Sequence, residues 1–284
     1  MQSYAGLLAL VFTAVSLVVV GDTFGKLLTT SGISPFFVAW SRFALAALVL
    51  LPMSGLRRAE LTHLRAPRVL LRGALIAGGI CCILTALRSE PIANVFGAFF
   101  IGPLVSFLLA RILMGERPTP LRAALLGLGF VGVLLVVKPG FGVTPGMILA
   151  LCAGVCYGGY LATTRLLAGA YRPRFLLISQ LLIGTVLLAP LAASAGLPEL
   201  TPRMWVWLAG SALGSAVGNY LLVIANRRAE ATLIAPLVYT QLITATLMGI
   251  AVFGEWPDAV ALSGLVLILA SGLGALVAQR RVRV

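Results

Sequence analysis

The chain is built from apolar runs close to 20 residues long, separated by short polar breaks. A helix needs about 20 apolar residues to cross the hydrocarbon core of a bilayer, so each run has the length of one membrane span. Too little polar sequence lies between the runs for a soluble domain. Composition agrees: of 284 residues, 60% are hydrophobic and 10% charged, against roughly 25% charged in soluble proteins. The chain reads as an all-α integral membrane protein.

The runs predict ten transmembrane helices. The first five cover Ala5 to Val20 (extendable to Leu28), Phe36 to Pro52, Val69 to Leu87, Ile92 to Met114 and Leu121 to Val137. The second five cover Gly146 to Leu167, Phe175 to Ala193, Met204 to Ala225, Ala231 to Phe253 and Ala259 to Ala278. The opening stretch lacks the basic n-region and small-residue cleavage pattern of a secretory signal, and is expected to remain as the first span.

The two sets echo each other at one constant separation. Lys26 and Arg165, each before a Leu-Leu pair, are 139 residues apart, as are Arg88 and Arg227. Gly115-Glu116-Arg117-Pro118 and Gly254-Glu255-Trp256-Pro257 repeat that separation. These three registers predict a duplicated five-helix unit, 1–139 and 140–284. Because five is odd, the second copy enters the membrane from the opposite side. Two inverted five-helix repeats are the frame in which halves rock around a central site, the architecture of alternating access.

Net charge is +13, from 21 Lys plus Arg against 8 Asp plus Glu. In a soluble chain that excess would suggest a nucleic acid partner, but no basic helix or RNA-binding aromatic motif accompanies it. Fifteen of the basic residues, Arg72 among them, are assigned to the side of the two termini. Only Lys26, Arg88, Lys138 and Arg203 are assigned to the other side, and Arg42 and Arg111 to spans. The positive-inside rule then makes both termini cytoplasmic, in a multi-pass protein of the inner (plasma) membrane.

Three groups of residues carry a family resemblance: the string Arg42-Phe43-Ala44-Leu45-Ala46-Ala47, the Pro103 span ending at Gly115-Glu116-Arg117-Pro118, and the echo from Ala235-Pro236 to Gly254-Glu255. They resemble the EamA type of the drug/metabolite transporter superfamily, over nearly the whole chain. The resemblance implies ten helices in two inverted halves, a central cavity, and secondary transport of small organic solutes. It does not imply one substrate.

Charge within the bilayer is the most informative signal, since an ionisable group near mid-span costs at least about 2.5 kcal/mol unless it faces protein or water. Arg42 lies within the second span, Asp22 and Lys26 end the first, and Arg88 and Glu90 join the third to the fourth. These five predict a charge cluster on the non-cytoplasmic side, either a gate and anion-attracting vestibule or a structural network. Arg165, Arg227, Arg228 and Glu230 are the cytoplasmic counterparts. Glu116 and Glu255, beside Gly and Pro at helix ends, are expected to accept backbone N–H bonds from the next helix.

A substrate site belongs near the midplane, beside broken helices. Pro103 and Pro236 interrupt the fourth and ninth spans and free backbone carbonyls. Midspan polar groups are concentrated in the second half, at Asn219, Tyr220, Tyr239, Thr240, Gln241, Tyr157 and Tyr160, and their first-half counterparts are mostly apolar, an asymmetry that suggests ligand contact. Tyr157, Asn219, Tyr239 and Gln241, with Arg42 and Arg88, are the expected substrate residues. Asp22, Glu90, Arg165 and Arg227 are the expected gating or coupling residues. Gly210, Gly214 and Gly218 predict close helix packing, as do Ala123, Gly127, Gly129 and Gly132 on the fifth span. Cys81, Cys82, Cys152 and Cys156 are expected to pack as small apolar residues, and Trp205 and Trp207 to anchor at the interface.

No metal or other cofactor is called for. An intramembrane enzyme would need a nucleophile with a base or a carboxylate pair, and no Gly-x-Ser-x-Gly or midspan His is present. A channel is disfavoured by the inverted repeat. The expected partners are membrane lipids and a small organic solute, with no nucleic acid. Export of an amino acid, a carboxylate or a related metabolite is the first expectation, and uptake of a vitamin such as riboflavin the alternative.

Overall fold

The computed structural model describes residues 4–115, 120–138, 143–167, 169–228, 234 and 237–282. Every regular element among them is helical. Six helices are long and apolar enough to cross a membrane: Gly6–Thr30, Pro35–Pro52, Pro67–Leu87, Ile92–Leu113, Pro145–Leu167 and Pro173–Ser194. Shorter apolar helices add Ala123–Val137, Gln241–Phe253 and Ala259–Gly274.

In chain order the elements are α1 (Tyr4–Thr30), α2 (Pro35–Ser54), α3 (Pro67–Leu87), α4 (Ile92–Phe99), α5 (Ile101–Met114), α6 (Pro120–Val137), α7 (Pro145–Leu167), α8 (Pro173–Ser194), α9 (Pro202–Arg228), α10 (Gln241–Met248) and α11 (Ala259–Val282). Proline stands at the first position of several, where the missing N–H has no helical acceptor to lose. α10 continues into a wider π turn at Gly249–Phe253, a form of helix often found at functional positions. Gly115 and Gly254 close α5 and that π turn in the left-handed conformation, both at φ 68°, where a side chain would be strained.

One expectation is corrected: α1 runs to Thr30, so Asp22 and Lys26 lie inside it and do not end it. The interruption expected at Pro103 divides the fourth span into two helices, with the break at Phe100. Arg72 sits within α3 and is 3% exposed.

Much of the outer surface is apolar, and three charges of α1 and α2 point in, although Arg111 in the last turn of α5 is exposed. Leu48, Ile112 and Val186 are more than 70% exposed, whereas Asp22, Lys26 and Arg42 are about 4% exposed. That inversion suits lipid, which cannot solvate a charge.

α1 packs along α9, α3 along α7, α2 against α8, and α6 against α11. Glycine makes the first contact close. A Cβ at Gly214 would come 2.9 Å from the Leu17 carbonyl oxygen, and one at Gly218 2.6 Å from that of Ala14. Gly132 and Gly264 similarly let α6 and α11 touch, whereas Gly127 has open space beside it and takes no part in that contact. The main apolar core, including Leu28, Leu84, Ile92, Phe96 and Leu242, joins elements from both ends of the chain.

Candidate functional site

Pro103 has no N–H to give to the carbonyl of Phe99, four residues earlier, so the helix opens there. Phe100 takes φ −68° and ψ 2° at the break. The freed Phe99 carbonyl oxygen lies against α7 at Gly154, where a Cβ would approach to 2.6 Å. The opening also splays out aromatic rings. Tyr160 stacks on Tyr157 (5.9 Å between centroids), Tyr157 meets Phe99 (4.8 Å), Phe99 meets Phe100 (6.3 Å), and Phe100 meets Tyr239 (4.6 Å).

Tyr239 also sits at a break, because the chain turns at Tyr239–Thr240 before α10 begins. The two interruptions therefore touch through their aromatic side chains. A cleft lined by Phe100, Pro103, Tyr239 and Ser271 runs beside the stack, with room for about one water. The implied central cavity is closed at this point. Pro236 lies outside the described residues.

Of the other expected substrate residues, Gln241 is buried in the first turn of α10. Asn219 donates to the Ser215 carbonyl of its own helix (2.8 Å), and Tyr220 is exposed. Arg88 caps α3 and is exposed, apart from the charge cluster.

The cluster itself forms two connected pieces. Arg42 donates from Nη1 to Asp22 Oδ1 (2.6 Å) and from Nε to Ser211 Oγ (2.8 Å); Ser211 in turn donates to the Gly21 carbonyl (2.9 Å). Arg42 Nη2 is buried with no hydrogen-bond partner. One turn along α1, Lys26 pairs with Glu255 and donates to the Glu90 carbonyl (2.7 Å). Glu255 also accepts the backbone N–H of Ile92 (2.9 Å), at the start of α4. The expectation for Glu255 thus holds in kind, but the helix it caps is not the next one in sequence. Glu90 accepts from Thr144, just before α7. Glu116 and Glu230 lie outside the described residues, as does the Arg227 side chain. Arg165 is in the last turn of α7.

Near the opposite end of α3 the structure assembles a second node that the sign of the charge had concealed. Arg72 donates from Nε to Thr164 Oγ1 (2.7 Å), from Nη1 to the Leu176 carbonyl (2.7 Å) and from Nη2 to the Tyr160 hydroxyl (2.9 Å). Tyr160 donates its own hydroxyl hydrogen bond to Gln180 Oε1 (2.8 Å). The signal was available in sequence, since Arg72 lies three residues inside the span predicted from Val69.

Two ion pairs lie outside the spans. Glu60 accepts both Arg172 Nε (2.8 Å) and Nη2 (2.6 Å), tying the 57–65 loop to the start of α8. These bonds, with the Arg57 backbone N–H, lower the Glu60 carboxyl to about 2. Asp258 pairs with Lys138 and accepts backbone N–H groups at the start of α11; both hold it below the usual carboxylate range.

Relatives match this frame. A riboflavin transporter of Rhizobium johnstonii is 28% identical over 83% of this chain and 78% of its own length. An S-adenosylmethionine uptake transporter of Rickettsia bellii is 27% identical over 92% and 89%. A pseudopaline exporter of Pseudomonas aeruginosa is 25% identical over 82% of each. One solved crystal structure of a protein covers 99% of this chain and 100% of that chain at 22% identity and a TM-score of 0.67, a likeness of fold. The EamA-like transporter family matches twice, over residues 5–138 and 144–277. The chain belongs to the EamA-like transporter family and is a multi-pass membrane protein.

Proposed function

We propose that the protein is a secondary carrier that moves a small organic solute across the inner membrane by alternating access. In this reading ten spans form two inverted halves, 1–139 and 140–284, with both termini in the cytoplasm. The observation that carries it is the meeting of Phe100 with Tyr239. They are equivalent at the 139-residue separation, each stands at a helix break, and their rings are 4.6 Å apart. Broken helices facing each other at a repeat interface are where carriers of this kind bind solute.

Further support comes from the two family matches, which begin 139 residues apart, and from packing. α1 against α9 and α7 against α3 are the same contact under that separation.

The solute lies against Tyr157, Tyr239 and Gln241 beside the breaks, with Asn219 reaching it when its intrahelical bond opens. Asp22, Arg42, Lys26, Glu90 and Glu255 close the non-cytoplasmic side; Arg165 and Arg227 belong to the opposite gate. The solute is an amino acid, a carboxylate or a related metabolite, and it is exported. The buried, half-used Arg42 and the exporter among the relatives favour this. Uptake of a vitamin such as riboflavin is the second reading, favoured by the row of aromatic rings in contact and by relatives named as riboflavin transporters.

Counterflow in proteoliposomes tests the proposal, with labelled amino acids, organic acids and riboflavin offered against the same unlabelled solute inside. Saturable exchange of one class is expected. Folded protein that exchanges none of them would sink the carrier reading, and conductance without saturation would replace it with a channel.

A further inference from the structure

Arg72 is 3% exposed inside an apolar helix, about 7.5 Å from its start at 1.5 Å per residue. A buried cation in a membrane span pairs with a carboxylate or with backbone carbonyls, and only the carboxylate neutralises its charge. Arg42 follows that rule through Asp22. Arg72 does not: among the described residues its partners are a threonine hydroxyl, a tyrosine hydroxyl and a backbone carbonyl, all neutral. Three of its five N–H donors are engaged, and no carboxylate among the described residues pairs with it.

The repeat sharpens the contrast. At the 139-residue separation Arg72 corresponds to Ser211, Tyr160 to Gly21, Thr164 to Gly25 and Gln180 to Ser41. Both nodes therefore occupy the same place in the frame, and each holds one buried arginine. At the position equivalent to Asp22 the second node carries Leu161. A purely structural arginine would be expected to bring its counter-ion with it. Here the acid has been replaced by an open row of neutral acceptors and rings.

Tyr160 joins this node to the aromatic row. Its ring lies over the Arg72 guanidinium at 4.6 Å, and it stacks on Tyr157, which leads to Phe99, Phe100 and Tyr239. A solute whose ring enters the row at Tyr157 would hold an acidic group one ring-spacing away, at the guanidinium. Resting on the carrier reading, we infer that Arg72, Tyr160, Thr164 and Gln180 form the docking point for the carboxylate of an aromatic carboxylate solute. The carboxylate supplies the missing negative charge by displacing the Tyr160 hydroxyl from Nη2, and Gln180 keeps that hydroxyl bonded as it swings away.

The test is isothermal titration of the purified full-length protein in nanodiscs with phenylacetate and with its neutral isostere phenylacetamide. Wild type should bind the acid about tenfold more tightly, the size of one charge-assisted hydrogen bond. Arg72→Gln should abolish that preference, weakening acid binding about tenfold more than amide binding. Tyr160→Phe keeps the ring and should preserve or raise the preference, because the displaced hydroxyl is gone; it serves as the second variant should Arg72→Gln fail to fold. Equal binding of acid and amide by wild type, binding of neither, an acid preference that survives Arg72→Gln, or one lost in Tyr160→Phe each overturns the inference. Counterflow of a neutral solute separates the two claims. If it persists without acid preference, the carrier stands and the docking point fails. If acid binding depends on Arg72 but nothing exchanges, the carrier fails instead.

Discussion

Phe100 and Tyr239 lie 139 residues apart, and their rings meet at 4.6 Å between centroids, tilted by 34°, where the fourth and ninth predicted spans break. In the proposed frame of two rocking halves this pair lies on the axis relating them, and transport would slide or part these rings. Phe100→Ala should lower counterflow by about tenfold, matching the upper range of about 1.5 kcal/mol for an aromatic pair. Tyr239→Phe should leave it within about twofold, since the ring and not the hydroxyl makes the contact with Phe100. Equal loss in both variants would assign the role to the hydroxyl.

Lys26 and Glu255 form an ion pair between α1 and the segment after α10. The lysine is almost fully buried and the glutamate about one-quarter exposed. Glu255→Gln keeps an acceptor for the Ile92 N–H but leaves Lys26 an unmatched charge, which should cost about 2 kcal/mol, below the range for a fully buried pair because water reaches the glutamate. Lys26→Glu and Glu255→Lys should each impair counterflow, and the doubly exchanged protein should recover at least part of it. A double exchange no better than either single one would show that orientation, and not charge pairing, is what matters there.

Arg42 and Asp22 offer a cleaner division between stability and transport. Arg42→Leu strands a buried carboxylate, at a cost of about 3–5 kcal/mol. Arg42→Leu with Asp22→Leu removes both charges, and thermal unfolding should return to within about 1 kcal/mol of wild type. Ser211 keeps its bond to the Gly21 carbonyl in either case. If the double variant is stable yet fails in counterflow, the pair serves transport. Full activity would make it structural.

Apolar length made six spans readable, but not the span predicted from Met204 to Ala225, whose helix α9 carries glycine, serine and asparagine; Pro103 made the break at Phe100 readable, because a missing N–H has one defined acceptor. Partners across the fold were not readable. Arg42 finds Ser211 169 residues away, and Glu255 caps Ile92 163 residues away. Nothing local marks either contact. Asn219 stands out in an apolar sequence, but its amide reaches the carbonyl one turn back, which satisfies it without a ligand. Arg72 was hidden differently: the positive-inside rule explained its charge before its depth in α3 was weighed.

Glycine positions that look alike in sequence should respond in opposite directions. Gly218→Ala pushes a Cβ to within 2.6 Å of the Ala14 carbonyl oxygen, forcing α9 away from α1. It should destabilise the protein by about 1–3 kcal/mol. Gly127→Ala meets nothing within 4 Å inside helix α6, and should stabilise by about 0.5–1 kcal/mol through helix propensity. Thermal unfolding in detergent reads both. A destabilising Gly127→Ala would mean that this face is covered by another chain.

Glu60 predicts how stability depends on acid. Its two hydrogen bonds from Arg172, then the Arg57 N–H, lower its folded carboxyl from 4.5 to about 2. A depressed carboxyl stabilises the fold fully above its unfolded value, and loses that contribution as pH falls towards the folded one. The tie between the 57–65 loop and the start of α8 should therefore hold unchanged from pH 7 to about 5, then weaken progressively between about 4.5 and 2. Glu60→Gln removes the charge at every pH. Thermal unfolding of the variant should lie below wild type at pH 7, and the difference should shrink as wild-type Glu60 protonates. A gap that stays constant down to pH 3 would mean that shape and not charge at Glu60 holds the loop.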